Sequence, residues 1–432
     1  MKPISRDLSN GMRAIVVPMK GAESMTIMVF VRVGSRYESK EINGASHFIE
    51  HLMFKGTKRR PDSQTISKEL DRYGADYNAF TSKDLTAYYI KMDAAKTELA
   101  ADMLHDMLFH SKYDPKEIDR ERNVILEEIN MYEDNPRMHI EDLIESSLFP
   151  DSTLGWNIAG PRDNIRMVTP QQLTDYRDAY YIPSRMCVAV SGKVVPDIWK
   201  ILEKTFGKVK QPAKPQDKPF TPFITPAKLK NPLSYQDKNT EQVQLAMSFH
   251  GLPLGDERLP AANILGTILG GTMSSRLFIE VREKRGLCYS IQASHQAMED
   301  TGLFQVMAGL DKKRVDEAVR VIWSELRKTA EKAISADELR RAKDHIRGKL
   351  TLAFEDSSTY ADWYGRQWIF QRKQESPEQR LKKLEMVTPN QVRALAGEFF
   401  RHEHMASAVI GPFGAKKNAE KLFTLARLSD LR

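Results

Sequence analysis

Cysteine is scarce in this chain, and its scarcity excludes two kinds of structure. Only two cysteines occur among 432 residues, Cys187 and Cys288, and each is flanked by apolar or aromatic residues. One pair of thiols provides no disulfide framework, and a cysteine-based zinc site needs clustered thiolates. The pattern favours two free, buried thiols in a reducing compartment.

Long apolar runs are also missing. No uninterrupted apolar stretch approaches the roughly 18 residues that a membrane-spanning helix requires. The first seven residues, MKPISRD, lack the apolar core of a signal peptide. We therefore expect a soluble, cytoplasmic protein without a membrane partner.

The charge is positive but dispersed. The formal net charge is +7, and the excess lies in short clusters such as residues 58–60 and 343–349. No basic arm or aromatic RNA-binding motif accompanies these clusters, so we expect a solvated basic surface and no nucleic-acid partner. Hydrophobic residues make up 41% of the chain, which is enough for large buried cores.

Proline is concentrated near the middle of the chain. Residues 208–240 contain six prolines among lysines and other polar residues: Pro212, Pro215, Pro219, Pro222, Pro226 and Pro232. Proline excludes a helix or a central strand and favours an extended connector. We predict an N-terminal domain over residues 1–207, a linker over 208–240 and a C-terminal domain over 241–432.

The two halves resemble each other. Residues 168–173 (VTPQQL) recur as residues 387–392 (VTPNQV), and each begins a helix with a threonine N-cap followed by proline. A short apolar strand ending in glycine follows each helix, at residues 188–192 and 408–411. Both matches are 219 positions apart, 168 to 387 and 192 to 411. The repeated spacing indicates an internal duplication.

Each half combines strands and helices. Strands are predicted at residues 24–33, 85–92 and 243–249, and helices at 93–110 and from 114 to about 133. Two helices often separate successive strands, and tight βαβ units are few. The prediction is an α+β fold of two homologous domains, each a mainly antiparallel sheet packed with helices.

His47-Phe48-Ile49-Glu50-His51 carries the clearest chemistry. Positions i and i+4 of a helix share a face, so both imidazoles can reach one metal ion. Glu50 can reach the same side and serve as a general base. This H-x-x-E-H order is a zinc-peptidase signature.

A third ligand is predicted on the helix that begins near Pro115. One stripe of this helix follows spacings of 3, 4, 3 and 4: Ile118, Glu121, Ile125, Glu128 and Tyr132. Buried carboxylates are costly unless they are paired or metal-bound. Either Glu128 or Glu121 is therefore a candidate ligand, a structural ion pair with an arginine is the alternative, and Glu127 should face away.

Four motifs together resemble the pitrilysin/insulinase family of zinc peptidases, which includes the mitochondrial processing peptidase. Residues 44–57 match the active-site helix and the turn after it, and residues 121–128 match the helix of the distal ligand. Residues 77–82 are similar to the substrate-binding edge strand. Residues 282–289 are similar to a segment of the second half that completes the active site. The resemblance spans nearly the whole chain and is strongest to short members that pair two such chains.

The resemblance implies a set of roles. Zinc, one ion per chain, would be held by His47, His51 and Glu128. Glu121 would support a ligand from behind, and Glu50 would take a proton from a water activated by the zinc.

It also implies residues for the substrate. Arg282 and Tyr289 would stabilise the carbonyl region or the developing oxyanion. The edge strand would bind the peptide backbone through Asn78, Ala79, Phe80 and Thr81.

The duplication suggests that the second half has no metal site. If Gly56-Thr57 aligns with Gly271-Thr272, the two histidines fall opposite Ala262 and Gly266. Aligning the ligand helices sets Glu128 against Lys349.

The sequence thus predicts a zinc metalloendopeptidase that cleaves short or unfolded polypeptides inside a chamber formed by a homodimer. Two alternatives stay open: a non-catalytic core subunit of a processing-peptidase-like complex, and a metal-binding interaction protein without turnover.

Overall fold

Two mixed sheets organise the chain, each at the centre of one unit. The computed structural model describes residues 1–213, 219–229 and 232–428. The first unit contains Met1–Asn130, Trp156–Phe220 and Leu350–Ser376. The second contains Met131–Gly155, Thr221–Lys349 and the described chain from Pro377 onward.

The strands are short and mostly buried. In chain order they are β1 (Ile4–Asp7), β2 (Arg13–Pro18), β3 (Ser24–Val31), β4 (Asp76–Thr81), β5 (Thr86–Asp93), β6 (Met186–Gly192), β7 (Leu233–Asp237), β8 (Gln242–His250), β9 (Cys288–Ala297), β10 (Gly302–Asp311) and β11 (Ala406–Gly411).

The helices mostly follow strands in pairs or longer runs. In chain order they are α1 (Ala45–Leu52), α2 (Ser63–Asp71), α3 (Thr97–His110), α4 (Pro115–Asp134), α5 (Pro136–Leu148), α6 (Arg162–Met167), α7 (Pro170–Tyr180), α8 (Ile198–Thr205), α9 (Leu259–Gly270), α10 (Val315–Glu331), α11 (Ala336–Ala353), α12 (Ser357–Gln371), α13 (Pro377–Glu385), α14 (Pro389–Phe399) and α15 (Lys416–Leu428).

The two sheets share a five-strand topology, to which the first sheet adds β1 at its edge. The first has the order β1-β2-β6-β3-β5-β4 and the second the order β7-β11-β8-β10-β9. Each contains one parallel pair, β2 with β6 and β7 with β11, and its other neighbours are antiparallel. The predicted α+β class with mainly antiparallel sheets is confirmed, and the shared strand order supports the duplication.

The duplicated helices α7 and α14 begin as their sequences predict. Thr169 and Thr388 each accept a hydrogen bond from the backbone N–H three residues on, and each is followed by proline. In both helices the glutamine at that third position reaches back to the backbone of the threonine, which completes a capping box.

Each sheet is covered on one face by a helix from the other half of the sequence. Helix α12 packs against β2, β3 and β6 of the first sheet, and α5 packs against β7, β8 and β11 of the second. Cutting the chain at its centre would therefore remove a covering helix from both sheets. Exposing those apolar faces to water would be costly, so each half needs the other to complete its core.

The proline-rich segment ends earlier than the predicted linker. Residues 233–237, inside the predicted range 208–240, form β7 at the edge of the second sheet. Pro215 and the rest of residues 214–218 lie outside the described residues, as do residues 230–231. In the described part of the chain, no helix has both the length and the apolar character to cross a bilayer.

Candidate metal centre

Helix α1 presents a polar face on one side and core residues on the other. Phe48, Ile49 and Leu52 are buried in the first unit. His47 and His51 lie one turn apart, and their ring centroids are 4.5 Å from each other. Apolar packing thus fixes the rotation of the helix and turns both imidazoles to the same side.

Helix α4 supplies the third group, although it lies about 80 positions further along the chain. Nε2 of His47 and Nε2 of His51 are 3.2 Å apart. Oε2 of Glu128 is 3.6 Å from the first nitrogen and 3.4 Å from the second. Among the described residues, these three form the one group of histidine, cysteine and carboxylate side chains close enough together to hold a metal ion.

The spacing of these atoms fits zinc. Zinc–ligand bonds of about 2.0–2.1 Å in a tetrahedron place neighbouring donor atoms about 3.3 Å apart. The three observed separations lie on both sides of that value. Two imidazoles and one carboxylate also leave a fourth coordination position free, which is the arrangement of catalytic rather than structural sites.

His51 is held from behind by a buried carboxylate. Oε1 of Glu121 lies 2.8 Å from Nδ1 of His51. Oε2 of Glu121 forms an ion pair with Nζ of Lys55 at 2.6 Å. A hydrogen bond at Nδ1 directs Nε2 toward the metal position and raises the basicity of the imidazole. The structure therefore places Glu121 behind His51 and Glu128 at the metal position. The sequence did not predict the contact between Lys55 and Glu121, because the spacing of these two residues follows no periodicity.

The pKa values of the two imidazoles shift in opposite directions. Burial lowers the pKa of His51, but hydrogen bonds to Glu121 and Glu128 outweigh burial and raise it to about 9. Burial and the neighbouring His51 lower the pKa of His47 to about 4. Without a metal ion, the cluster is expected to keep one proton on His51 at neutral pH.

Glu50 lies beside the metal position with its own hydrogen-bond donor. Oγ1 of Thr81 donates to Oε2 of Glu50 over 2.5 Å. Burial raises the pKa of Glu50, and the bond from Thr81 opposes that shift. A carboxylate with a raised pKa is better matched to proton transfer near neutral pH.

The predicted substrate strand is β4. It is the last strand of the first sheet and pairs with β5. Ala79 is buried, whereas Asn78 is exposed and its Oδ1 accepts the backbone N–H of Ala79. Phe80 stacks against the guanidinium of Arg366 at 5.1 Å. In the described sheet β4 pairs with a strand on one side, and Thr81 at its end faces Glu50, a contact the sequence did not reveal.

Arg282 and Tyr289 lie in the second unit. Arg282 belongs to a π-helical turn, Phe278–Glu283, and its guanidinium lies 4.7 Å from the ring of Phe278 and 5.4 Å from that of Tyr289. Tyr289 is 71% exposed on β9. The structure brings these two side chains together, and their catalytic role stays a prediction.

The second half has glycine where a ligand would be needed. A side chain at Gly266 would meet the backbone of Ser294 at 3.3 Å, and one at Gly270 would meet the backbone N of Ala293 at 2.1 Å. Helix α9 therefore lies close against β9, with no room for a side chain at Gly270 and a tight fit for one at Gly266. This close packing agrees with the prediction that the second half has no metal site.

The apolar stripe of α4 differs from the predicted one at its end. Ile118, Glu121, Ile125 and Ile129 are buried, and Glu127 faces away as expected. Tyr132 is 36% exposed. A seven-residue repeat drifts by about 20° per repeat on a straight α-helix, so after two repeats Ile129 replaces Tyr132 on the buried side.

The contact between Lys55 and Glu121 gives a test of metal affinity. Removing the Lys55 charge, in Lys55→Met, should lower zinc affinity about 10-fold, because Glu121 then orients His51 less firmly. Competition with a chelator measures this. Lys58→Met, which removes an exposed lysine of the same segment, should bind zinc like the native chain. Equal affinities in all three proteins would contradict the role of Lys55.

The raised pKa of His51 gives a test by pH. Zinc must displace the proton that His51 holds below about pH 9, so affinity should rise at least about 10-fold per pH unit from pH 7 to 9. Calorimetry in buffers of different ionisation enthalpy should show at least about one proton released per zinc at pH 7.5. In Glu121→Gln the release should be smaller, because one of the carboxylates that hold the proton is gone. No release from the native chain would contradict this.

Comparison with known proteins finds relatives among peptidases. Residues 14–162 match the family described as Insulinase (Peptidase family M16), and residues 167–346 match the Peptidase M16 inactive domain. The uncharacterized zinc protease YmxG of Bacillus subtilis is 34% identical over 405 residues, which cover 94% of this chain and 97% of that one. An uncharacterized zinc protease of Streptomyces coelicolor is 35% identical over 415 residues, covering 95% and 90%.

Solved structures share the fold. A protease from Helicobacter pylori superposes with a TM-score of 0.88 at 22% identity, covering 95% of this chain and 99% of that one. A Pseudomonas fluorescens structure described as a peptidase M16 inactive domain superposes with a TM-score of 0.87 at 18% identity, covering 95% and 98%. With the two family matches and the relatives above 30% identity, the chain belongs to the insulinase family of peptidases, family M16.

Proposed function

We propose that this chain is a zinc metalloendopeptidase that hydrolyses peptide bonds of short or unfolded polypeptides. The observation that carries the proposal is the triangle of His47, His51 and Glu128 donor atoms, with sides of 3.2, 3.4 and 3.6 Å, on the helix that also carries Glu50. Ligands for one metal and a candidate base thus share one small site.

The chain supplies the residues that such a reaction needs. A zinc ion held by His47, His51 and Glu128 would act as a Lewis acid and lower the pKa of a bound water to about 7. Glu50 would accept the proton of the attacking water and return it to the leaving amine. Thr81 keeps the Glu50 carboxylate turned toward the site through its hydrogen bond.

Strand β4 would hold the substrate. Its unpaired edge can add a peptide strand, and strand addition recognises the backbone more than the side chains. Because Thr81 ends β4 and contacts Glu50, the strand and the base are mechanically linked. A peptide paired to Asn78 and Ala79 would therefore be positioned relative to the general base.

Arg282 and Tyr289 would stabilise the oxyanion, and two chains would pair to enclose a chamber. The cation–aromatic contact between these side chains supports their acting as a unit. Both cysteines are free and buried, which suits a reducing compartment such as the cytoplasm.

A non-catalytic partner subunit is the second candidate. The match of residues 167–346 to a domain described as inactive favours it, but that segment is the half without ligands. The complete set of donors in the first half supports catalysis instead. Turnover by the purified chain decides between the two.

Glu50→Gln is the decisive variant. It keeps the shape of the side chain but cannot accept a proton, so hydrolysis of an unstructured peptide should fall by about 10²–10⁴-fold. Zinc content should stay near one per chain. Glu127→Gln, on the exposed side of α4, should retain full activity. A native, zinc-loaded chain that cleaves no member of a broad peptide panel would refute the peptidase proposal.

Tyr289→Phe tests the contribution of the second half. Loss of one oxyanion donor should lower kcat about 10²-fold while zinc binding is unchanged. An unaltered kcat would remove Tyr289 from the mechanism.

The proposed homodimer is tested by light scattering. The native chain should give twice the chain mass, and a monomer at working concentration would exclude the homodimer.

A further inference from the structure

The metal-binding helix begins without a capping side chain. The residue before α1 is Gly44, at φ +104°, and it has no side chain to accept the first backbone N–H groups of the helix. Such groups normally need a partner, because an unpaired buried N–H costs free energy. In this helix the partner comes from Glu38, six residues before the glycine.

Glu38 is buried and accepts three hydrogen bonds. Its Oε1 accepts the backbone N–H of Ser46 at 2.7 Å. Its Oε2 accepts the backbone N–H of Gly44 and the side-chain amide of Asn43, both at 2.8 Å. The carboxylate therefore holds the first turn of α1 through the backbone of Ser46, the residue before His47. Its negative charge also faces the positive end of the helix dipole.

The same helix start fits tightly against the chain near residue 160. A side chain at Gly44 would meet the carbonyl O of Ala159 at 2.6 Å, and one at Gly160 would meet that of Asn43 at 2.2 Å. Oγ of Ser46 and the hydroxyl of Tyr176 lie 3.0 Å apart. These contacts leave little freedom for α1 to shift along its axis once Glu38 is in place.

We propose that Glu38 is a positioning residue for the metal centre, which fixes the N-terminal turn of α1 so that His47 points at the metal position and Glu50 at the substrate. The proposal rests on the proposed peptidase function for its catalytic consequence. Its consequence for metal affinity and for the motion of α1 is independent of that function.

Stability alone does not account for a carboxylate at this position. Burial raises the pKa of Glu38 to about 7, against the opposing effect of its hydrogen bonds. A carboxyl group with a raised pKa favours the folded chain most below about pH 4.5, and this contribution is lost as the pH rises through 7. The ionised group is therefore costly at pH 8. The negative charge of Glu38 also raises the pKa values of Tyr176 and Tyr180, two neighbouring groups that carry no positive charge.

The test compares Glu38→Gln with the native chain at pH 8. Glutamine can accept one of the two backbone N–H groups, but its NH₂ faces the other. Hydrogen exchange in residues 44–52 should become about 10-fold faster, zinc affinity should fall about 10-fold, and kcat should fall about 10-fold or more with little change in KM. Glu38→Asp keeps the charge on a shorter stem and should give intermediate values, which also covers a Gln variant that fails to fold.

Two matched controls isolate positioning from a general effect. Glu41→Gln removes an exposed carboxylate three residues away. Glu338→Gln removes a carboxylate that accepts the backbone N–H of Ser335 at the start of α11, which carries no ligand. Both should keep native kcat and native exchange in α1.

The outcomes separate this proposal from the proposed function. If Glu38→Gln equals the native chain in exchange, zinc affinity and kcat, or if Glu338→Gln loses as much kcat, the positioning role is wrong. If the native chain has no peptidase activity but Glu38→Gln still weakens zinc binding and loosens α1, the peptidase proposal fails and the positioning role stands.

Discussion

One eight-residue helix has to meet two demands at once, and the rest of the first unit is arranged around it. Its inner side must fill the core with Phe48, Ile49 and Leu52, and its outer side must hold three polar groups at fixed positions. A helix this short has little intrinsic stability in water, so its geometry must come from tertiary contacts. The structure provides such contacts at both ends.

Two buried carboxylates provide them. Glu38 receives the N–H groups at the start of α1, and Glu121 receives Nδ1 of His51 near its end. Each carboxylate is costly to bury alone and is stabilised by several donors, including Lys55 at Glu121. Because hydrogen bonds are directional, they orient the helix and its imidazole more sharply than apolar packing does.

The duplicated fold explains how one chain can carry a single metal centre on two similar sheets. In the second half, α9 packs so closely on β9 that Gly270 has no space for a side chain and Gly266 has little. Helices α5 and α12 each pack on the sheet formed by the other half of the sequence, so each half needs the other to complete its core.

Regular spacing within short segments predicts one part of this structure. The i, i+4 spacing of His47 and His51, the capping boxes at Thr169 and Thr388, and the outward position of Glu127 all follow from helical geometry. The class of fold, and the half that carries the cluster of two histidines and a glutamate, could therefore be predicted.

Contacts between distant segments were decided only by the tertiary structure. Helical spacing alone left Glu121 and Glu128 equivalent, and the fold separates them because one faces Nδ1 of His51 and the other lies by both Nε2 atoms. The support from Lys55, the bond from Thr81 to Glu50 and the cap by Glu38 join positions with no fixed spacing. Sequence by itself thus determined which residues could act, and packing determined which of them come into contact, because a hydrogen bond depends on where two segments meet in space.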